Sequence, residues 1–327
     1  MAIVTVTDHV FADLETERGL LNGAGHELRY EGDARTPEEA AAAVAGSDAV
    51  LNCYAPMPGE VIAVLDGCRI IARYGIGLDT VDLPAASARG ILVTNVPDYC
   101  IDEVSDHALA LMLSLARGVA RLDRHVRSGS WDPKEARPLH RLRGQTLGVV
   151  GFGRIARRLA EKASALGLRV IASDPYLSAD DIRGAGAEPR TFDELLAEAD
   201  IVSLHAPLTA ETRHVIDAGT IGRMKPGAIL INTSRGPLVD TEAVLEGLEA
   251  GRLAGAGLDV LESEPPEPHA PLLRRPDVVV TPHAAFYSEE SMAELQRKAA
   301  EQVVIALAGD IPPYAVNADA VRAARSA

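Results

Sequence analysis

Short β-branched runs alternate with amphipathic stretches along the chain, the pattern of parallel α/β architecture. In the first third, Ile3–Val6, Ala49–Asn52, 70–72 and 91–94 are predicted as strands. Between the first two, the Ala/Glu-rich Pro37–Val44 is predicted as a helix, with Thr36 as N-cap and Pro37 at the first helical position. A long helix is predicted over about 102–127, where Val104, Ala108, Leu111, Leu115, Val119 and Leu122 recur at threes and fours. Its middle, 108–113, is apolar nearly all round, which predicts burial between domains or subunits. Ser128-Gly129-Ser130 ends it, and Pro133 and Pro138 oppose a helix in the connection 131–143. From Gln145 the alternation becomes more regular. Strands are predicted at Thr146–Val150, 170–173, Ile201–Leu204, Ala228–Asn232, 256–259 and 278–281, and a last amphipathic helix at 291–307. The Pro/Glu-rich segment 262–271 is a loop.

A length of 327 residues predicts two domains, at roughly 100–200 residues each. With 47% hydrophobic residues the chain can build packed cores, which argues against global disorder. Its apolar runs fall short of the ~18–20 residues of a membrane span. The N-terminus enters a strand-like alternation without a basic region, so no secretory signal is read. Lys+Arg minus Asp+Glu is 32 − 47 = −15. Such a chain repels nucleic acid, and 4% aromatics offer few surfaces for stacking bases. Positive charge that meets an anionic substrate must therefore be local. Cys53, Cys68 and Cys100 show neither metal nor redox spacing, and their sparse, odd number fits small core residues in a reducing cytoplasm.

The run 146–150 leads into Gly151-Phe152-Gly153-Arg154-Ile155-Ala156 and then a helix-compatible stretch. This is G-x-G-x-x-A between a strand and a helix. Gly151 permits a tight turn, Gly153 lets backbone approach a pyrophosphate, and Ala156 stays small where helix packs on strand. The next predicted strand ends at Asp174, whose carboxylate can accept both ribose hydroxyls of the adenosine and would repel a 2′-phosphate. Pro175 and Tyr176 follow it, with no close arginine, so NAD is predicted over NADP.

Three further motifs fall at the ends of later strands, where open parallel sheets place their ligands. Asn232-Thr233-Ser234-Arg235-Gly236 offers the planar guanidinium fork of Arg235, which matches a carboxylate or polarised carbonyl. Asp259 ends a strand, with Glu264 in the turn beyond it. Thr281-Pro282-His283 puts an imidazole directly after a buried strand. Each has a plainer reading: a surface arginine, a solvated acidic loop, a structural histidine. Together they suit the reduction of a 2-oxo acid, which needs a hydride, a proton and a hold on the carboxylate. NADH would supply the hydride and His283 the proton. Glu264 would favour the imidazolium and orient the ring. Arg235 would bind the substrate and stabilise charge on its oxygen.

These motifs, with Ala72-Arg73-Tyr74-Gly75-Ile76-Gly77-Leu78-Asp79 and Asn95-Val96-Pro97, resemble those of the D-isomer-specific 2-hydroxyacid dehydrogenases over nearly the whole chain. The resemblance implies Arg235, Glu264 and His283 as catalytic residues, and the backbone at Ile76-Gly77 as the loop receiving the substrate carboxylate. It implies Asp259 near the nicotinamide, and His205-Ala206-Pro207, Thr212 and Thr233-Ser234 lining the cofactor. For His205 a structural role is an equal alternative. It also implies two doubly wound parallel-sheet domains, Rossmann- and flavodoxin-like, with a cleft between them. Residues 1–98 with 289–327 would form the substrate domain, and 99–288 the NAD domain, through which members commonly form homodimers. Within the family the chain is most similar to the branch of the C-terminal-binding-protein corepressors. This similarity lies in Ser173-Asp174-Pro175-Tyr176, Glu262-Ser263-Glu264-Pro265 and the segment after His283. Phe286 stands where the corepressors typically have Trp, which alters a wall of the implied substrate pocket. Arg73 matches an arginine that faces the active site in that branch; here it is either a second anion contact or a salt-bridged structural residue. The branch also implies a second reading, an NAD(H)-sensing dimeric scaffold, beside that of an enzyme acting on small anionic 2-oxo or 2-hydroxy acids.

Overall fold

The computed structural model describes residues 1–326, which divide into two compact units: Met1–Tyr99 together with Ser288 onward, and Cys100–Tyr287. The first holds strands β1 (Ile3–Val6), β2 (Glu27–Arg29), β3 (Ala49–Asn52), β4 (Ile70–Arg73) and β5 (Leu92–Thr94). All pairings are parallel, in the order β2-β1-β3-β4-β5. The inner strands β3 and β4 are buried along their whole length, and β1 at all but its first residue, so the apolar runs are continuous rather than alternating. One face packs Val50, Ile62, Leu65, Ile71 and Val93. Helix Pro37–Val44 begins as predicted, with Thr36 and Glu39 in a reciprocal capping box. Helix Glu289–Ala308, capped by Ser288 and closed by the left-handed Gly309, packs on helix Glu15–Gly23 and on β4.

The second unit is a seven-stranded parallel sheet of β6 (Thr146–Val150), β7 (Arg169–Ser173), β8 (Glu188–Pro189), β9 (Ile201–Leu204), β10 (Ala228–Asn232), β11 (Leu253–Leu258) and β12 (Val278–Val280), in the order β12-β11-β10-β9-β6-β7-β8. Helices Ile101–Ala116 and Arg154–Ala165 cover one face, over Leu147 and Val149. Leu195, Leu196, Ile221 and Val244 cover the other. Strand order reverses between β6 and β9, the place where such sheets open a crevice for a dinucleotide.

One sequence expectation needs correction, and two strands were not read from the sequence. The helix expected over 102–127 is two helices, Ile101–Ala116 and Val119–Arg127. Gly118 adopts a left-handed φ of 63° and caps the second, so an apolar period that runs through the break conceals it. The edge strands β2 and β8 carry no apolar alternation. Glu27 and Glu188 are exposed at positions paired on one side only.

Candidate active site

The dinucleotide turn follows from local chemistry. Gly151 has φ 79°, and a Cβ there would lie 2.7 Å from the Ala206 backbone nitrogen, so a glycine is required both by conformation and by the close approach of the 205–206 backbone. Around Gly153 the space is open, with nothing within 4 Å of a built Cβ. The helix that begins at Arg154 has no side-chain N-cap, so its first-turn N–H groups remain available to a ligand. Ala156 is fully buried between helix and sheet. Asp174, after β7, accepts from the Phe152 amide at 2.8 Å and from the Tyr176 amide at 2.9 Å, which fixes its carboxylate beside the glycine turn. Phe152 itself points into the core, so only its backbone faces this turn, while Ile155 is half-buried at the start of the helix.

Across the strand reversal, Ser203 Oγ and His205 Nε2 are 2.9 Å apart, and burial pushes the imidazole down to about 4, leaving it neutral at ordinary pH. Thr212 donates to the Pro207 carbonyl at 2.7 Å and accepts from the Thr209 amide, closing the loop after β9. Ser234 donates to the Leu204 carbonyl at 2.9 Å. The Thr233 hydroxyl is buried without a partner among the described residues. An open glycine, uncapped amides, a fixed carboxylate and an orphaned hydroxyl around one crevice fit a dinucleotide.

The candidate catalytic residues Arg235, Glu264 and His283 follow β10, β11 and β12. Asn232 Nδ2 donates to the Arg235 carbonyl and its Oδ1 accepts from the Ser234 amide, making a compact turn that aims the arginine. Arg235 Nη1 donates to the Ser234 carbonyl at 2.8 Å. Gly236 is indispensable here, since a Cβ would fall 1.9 Å from the Leu261 carbonyl oxygen. The same Leu261 donates its amide to Glu264 Oε1 at 2.9 Å. Glu264 Oε2 lies 2.7 Å from His283 Nδ1. Burial raises the Glu264 carboxyl, but the hydrogen bond and charge of His283, the Leu261 amide and the Arg235 charge together outweigh it and hold it below the usual range. Phe286 meets the His283 ring edge-on at 6.1 Å.

His283 adopts a left-handed φ of 52°, rare for a residue with a side chain. Its amide reaches the Asp259 carbonyl at 2.8 Å. The Asp259 carboxylate, 1% exposed, accepts from the amides of Ala284 and Ala285 and from the Thr281 hydroxyl. His107 Nε2, from helix Ile101–Ala116, lies 2.8 Å from that hydroxyl. Sequence reasoning missed His107 and Thr281, and also the pair His214–Glu262, 2.6 Å apart, whose carboxylate accepts the Thr241 amide. A second histidine at positive φ, His214, was the available signal only once backbone angles were known.

In the other unit, Arg73 is 7% exposed, its Nε has no partner among the described residues, and the guanidinium lies 6.0 Å from the Tyr54 ring. It fills the place that a Cβ on Gly75 would take. Asn95 Nδ2 donates to the Ile76 carbonyl at 2.7 Å, while the N–H groups of Ile76 and Gly77 find no acceptor among the described residues. No three His, Cys, Asp or Glu side chains gather as a metal site among the described residues.

Residues 109–285 match the model of the D-isomer specific 2-hydroxyacid dehydrogenase, NAD binding domain. The chain is 42% identical over 272 residues to the glyoxylate reductase of Korarchaeum cryptofilum, covering 82% of this chain and 81% of the relative. It is 41% identical over 279 residues to the D-3-phosphoglycerate dehydrogenase of Mycobacterium leprae, covering 85% of this chain and 52% of that longer protein. The D-lactate dehydrogenase of Aquifex aeolicus, solved with NAD and lactic acid, superposes with a TM-score of 0.84 at 28% identity, over 94% of this chain and 96% of that one.

Proposed function

The chain belongs to the D-isomer-specific 2-hydroxyacid dehydrogenase family, and from that premise we propose that His283 and Glu264 are its acid–base pair and Arg235 its substrate clamp. The observation that carries this is the 2.7 Å contact between His283 Nδ1 and Glu264 Oε2. With Nδ1 held by a carboxylate, the ring turns Nε2 to the opposite side as the nitrogen that exchanges a proton with the substrate oxygen. Bound NADH supplies the hydride. In reduction, His283 gives its proton to the carbonyl oxygen as charge develops there, and the ionised Glu264 stabilises the imidazolium beforehand. Arg235 holds the carboxylate and the developing oxyanion. In oxidation, His283 takes the alcohol proton.

Arg73 and the backbone of Ile76 and Gly77 are proposed as further contacts to the acid. A buried guanidinium without an ion pair is expensive to maintain unless an anion compensates it, and the two unoccupied amides suit a carboxylate. Phe286, against the His283 ring, is proposed as a wall of the substrate site. Gly151, Gly153, Arg154, Ile155, Asp174, His205, Ala206, Pro207, Thr212, Thr233, Ser234 and Asp259 are proposed to surround the cofactor, with Asp174 selecting NAD over NADP. The substrate is proposed to be a small 2-oxo acid and its D-2-hydroxy counterpart, as the names of the relatives suggest. Following absorbance at 340 nm, the protein should consume NADH with glyoxylate, hydroxypyruvate or pyruvate. Tight NADH binding without turnover on any small 2-oxo acid would instead favour a dinucleotide-sensing scaffold.

A further inference from the structure

We infer that His107 is a positioning residue for the catalytic imidazole, acting through Thr281 and Asp259 rather than on the substrate. This rests on the role proposed for His283.

The argument is one of proton inventory. The Thr281 hydroxyl has a single hydrogen. It lies 2.6 Å from Asp259 Oδ1, and a carboxylate has none to give, so that hydrogen goes to Asp259. The contact between Thr281 and His107 Nε2, at 2.8 Å, must then be donated by the imidazole. His107 Nε2 is also 3.5 Å from Asp259 Oδ1, so its N–H dipole faces the buried carboxylate as well as the hydroxyl. The result is a directional chain, His107 to Thr281 to Asp259.

Asp259 is the hub of the turn that carries His283. Its two carboxylate oxygens hold the amides of Ala284 and Ala285, just beyond the histidine, and its carbonyl holds the amide of His283. These bonds fasten both sides of a residue whose backbone is left-handed, a conformation an L side chain keeps only when its surroundings impose it. The His107 donor completes the set that fixes the hydroxyl and, through it, the carboxylate. It is delivered by helix Ile101–Ala116, which is anchored on the sheet through Ala108, Leu111 and Met112. Removing the donor leaves the hydroxyl free to rotate away from Asp259, and the turn then loses one of its restraints where the reacting nitrogen must be placed to a fraction of an ångström.

The test compares His107→Leu, which removes the donor, with His107→Gln, whose amide nitrogen can stand near the place of Nε2, and with Thr281→Val, which removes the relay. For wild type and each variant, kcat and KM for a turned-over 2-oxo acid and the Kd of NADH are measured, with amide hydrogen exchange of the segment 281–286. His107→Leu and Thr281→Val should each lower kcat by on the order of tenfold or more, with NADH Kd within about twofold and exchange accelerated at 283–285. The double variant should be no worse than either alone, and His107→Gln should recover most of both signals. Unchanged exchange and turnover in His107→Leu would overturn the inference, as would equal damage in the Leu and Gln variants, which marks a packing role. If wild type turns over no 2-oxo acid, the enzymatic reading fails, while the exchange comparison still decides whether His107 holds the turn.

Discussion

At the scale of single residues, the proposed acid and its carboxylate partner make separable predictions. The role proposed for His283 is on the substrate's oxygen and not on the dinucleotide phosphates. His283→Ala should therefore lower kcat by roughly a hundred- to ten-thousandfold, the ordinary contribution of a positioned acid–base group, while NADH affinity measured by fluorescence stays nearly unchanged. Lost NADH binding with turnover retained would reverse the assignment. Glu264 is held below the usual carboxylate range, where burial is overcome by its bonds to His283 and Leu261, so at neutral pH it carries its charge beside the imidazole. Glu264→Gln withdraws that charge and leaves the ring with a neutral partner. In the reductive direction kcat should fall by on the order of tenfold or more, with NADH Kd within about twofold. The same substitution carries a stability prediction with a definite sign. A depressed carboxyl contributes above its ordinary value of 4.5 and loses that contribution as pH falls through the lower folded value. The Gln variant should thus show a flatter decline of Tm on the acid side, and an unchanged kcat would separate Glu264 from the function of His283.

At the scale of elements, the strand–turn–helix that receives the dinucleotide was legible because its chemistry is local. Gly151, Gly153, Ala156 and Asp174 fall at fixed offsets along one βαβ stretch, and buried parallel strands announce themselves as continuous apolar runs. Structure adds a reason the motif alone does not contain, the approach of the Ala206 backbone to Gly151. Gly151→Ala must displace that loop as well as strain the turn. NADH Kd should rise at least tenfold, by the more than ~1.4 kcal/mol that a left-handed φ and a backbone clash together impose, and equilibrium fluorescence titration checks it. Elements whose evidence is non-local were not legible. The break at Gly118 is hidden because apolar spacing continues across it, and the edge strands Glu27–Arg29 and Glu188–Pro189 lack the pattern because one side of each faces solvent. The His107–Thr281–Asp259 chain joins residues 174 and 22 positions apart, beyond the reach of any periodicity. Arg235, Glu264 and His283 were readable as separate strand-end motifs; the loop that binds them, with Gly236 against Leu261, was not.

At the scale of the whole molecule, the helix Val119–Arg127 poses a packing question that its own unit does not answer. It buries none of its residues, although Val119 and Val126 are large and apolar, and the nearby Trp131 is 88% exposed. Single exposed apolar side chains are ordinary, but Val119 and Val126, seven positions apart on one helix, with Trp131 soon after it, offer apolar area that association would cover. Net charge opposes non-specific clustering at −15, so any association here must be specific enough to overcome long-range repulsion. We propose that this face joins two copies of the chain. The protein should sediment at twice the 34.5 kDa of one chain. Trp131→Glu, which sets a charge at the exposed connection after this helix and lies on no strand, should shift the particle toward the mass of one chain at micromolar concentration. Because Trp131 lies outside the turns that carry Arg235, Glu264 and His283, the variant should keep its far-ultraviolet circular dichroism and its NADH affinity within about twofold. A wild-type particle of single-chain mass, or a Trp131→Glu particle that remains twofold, would remove this helix as the seam.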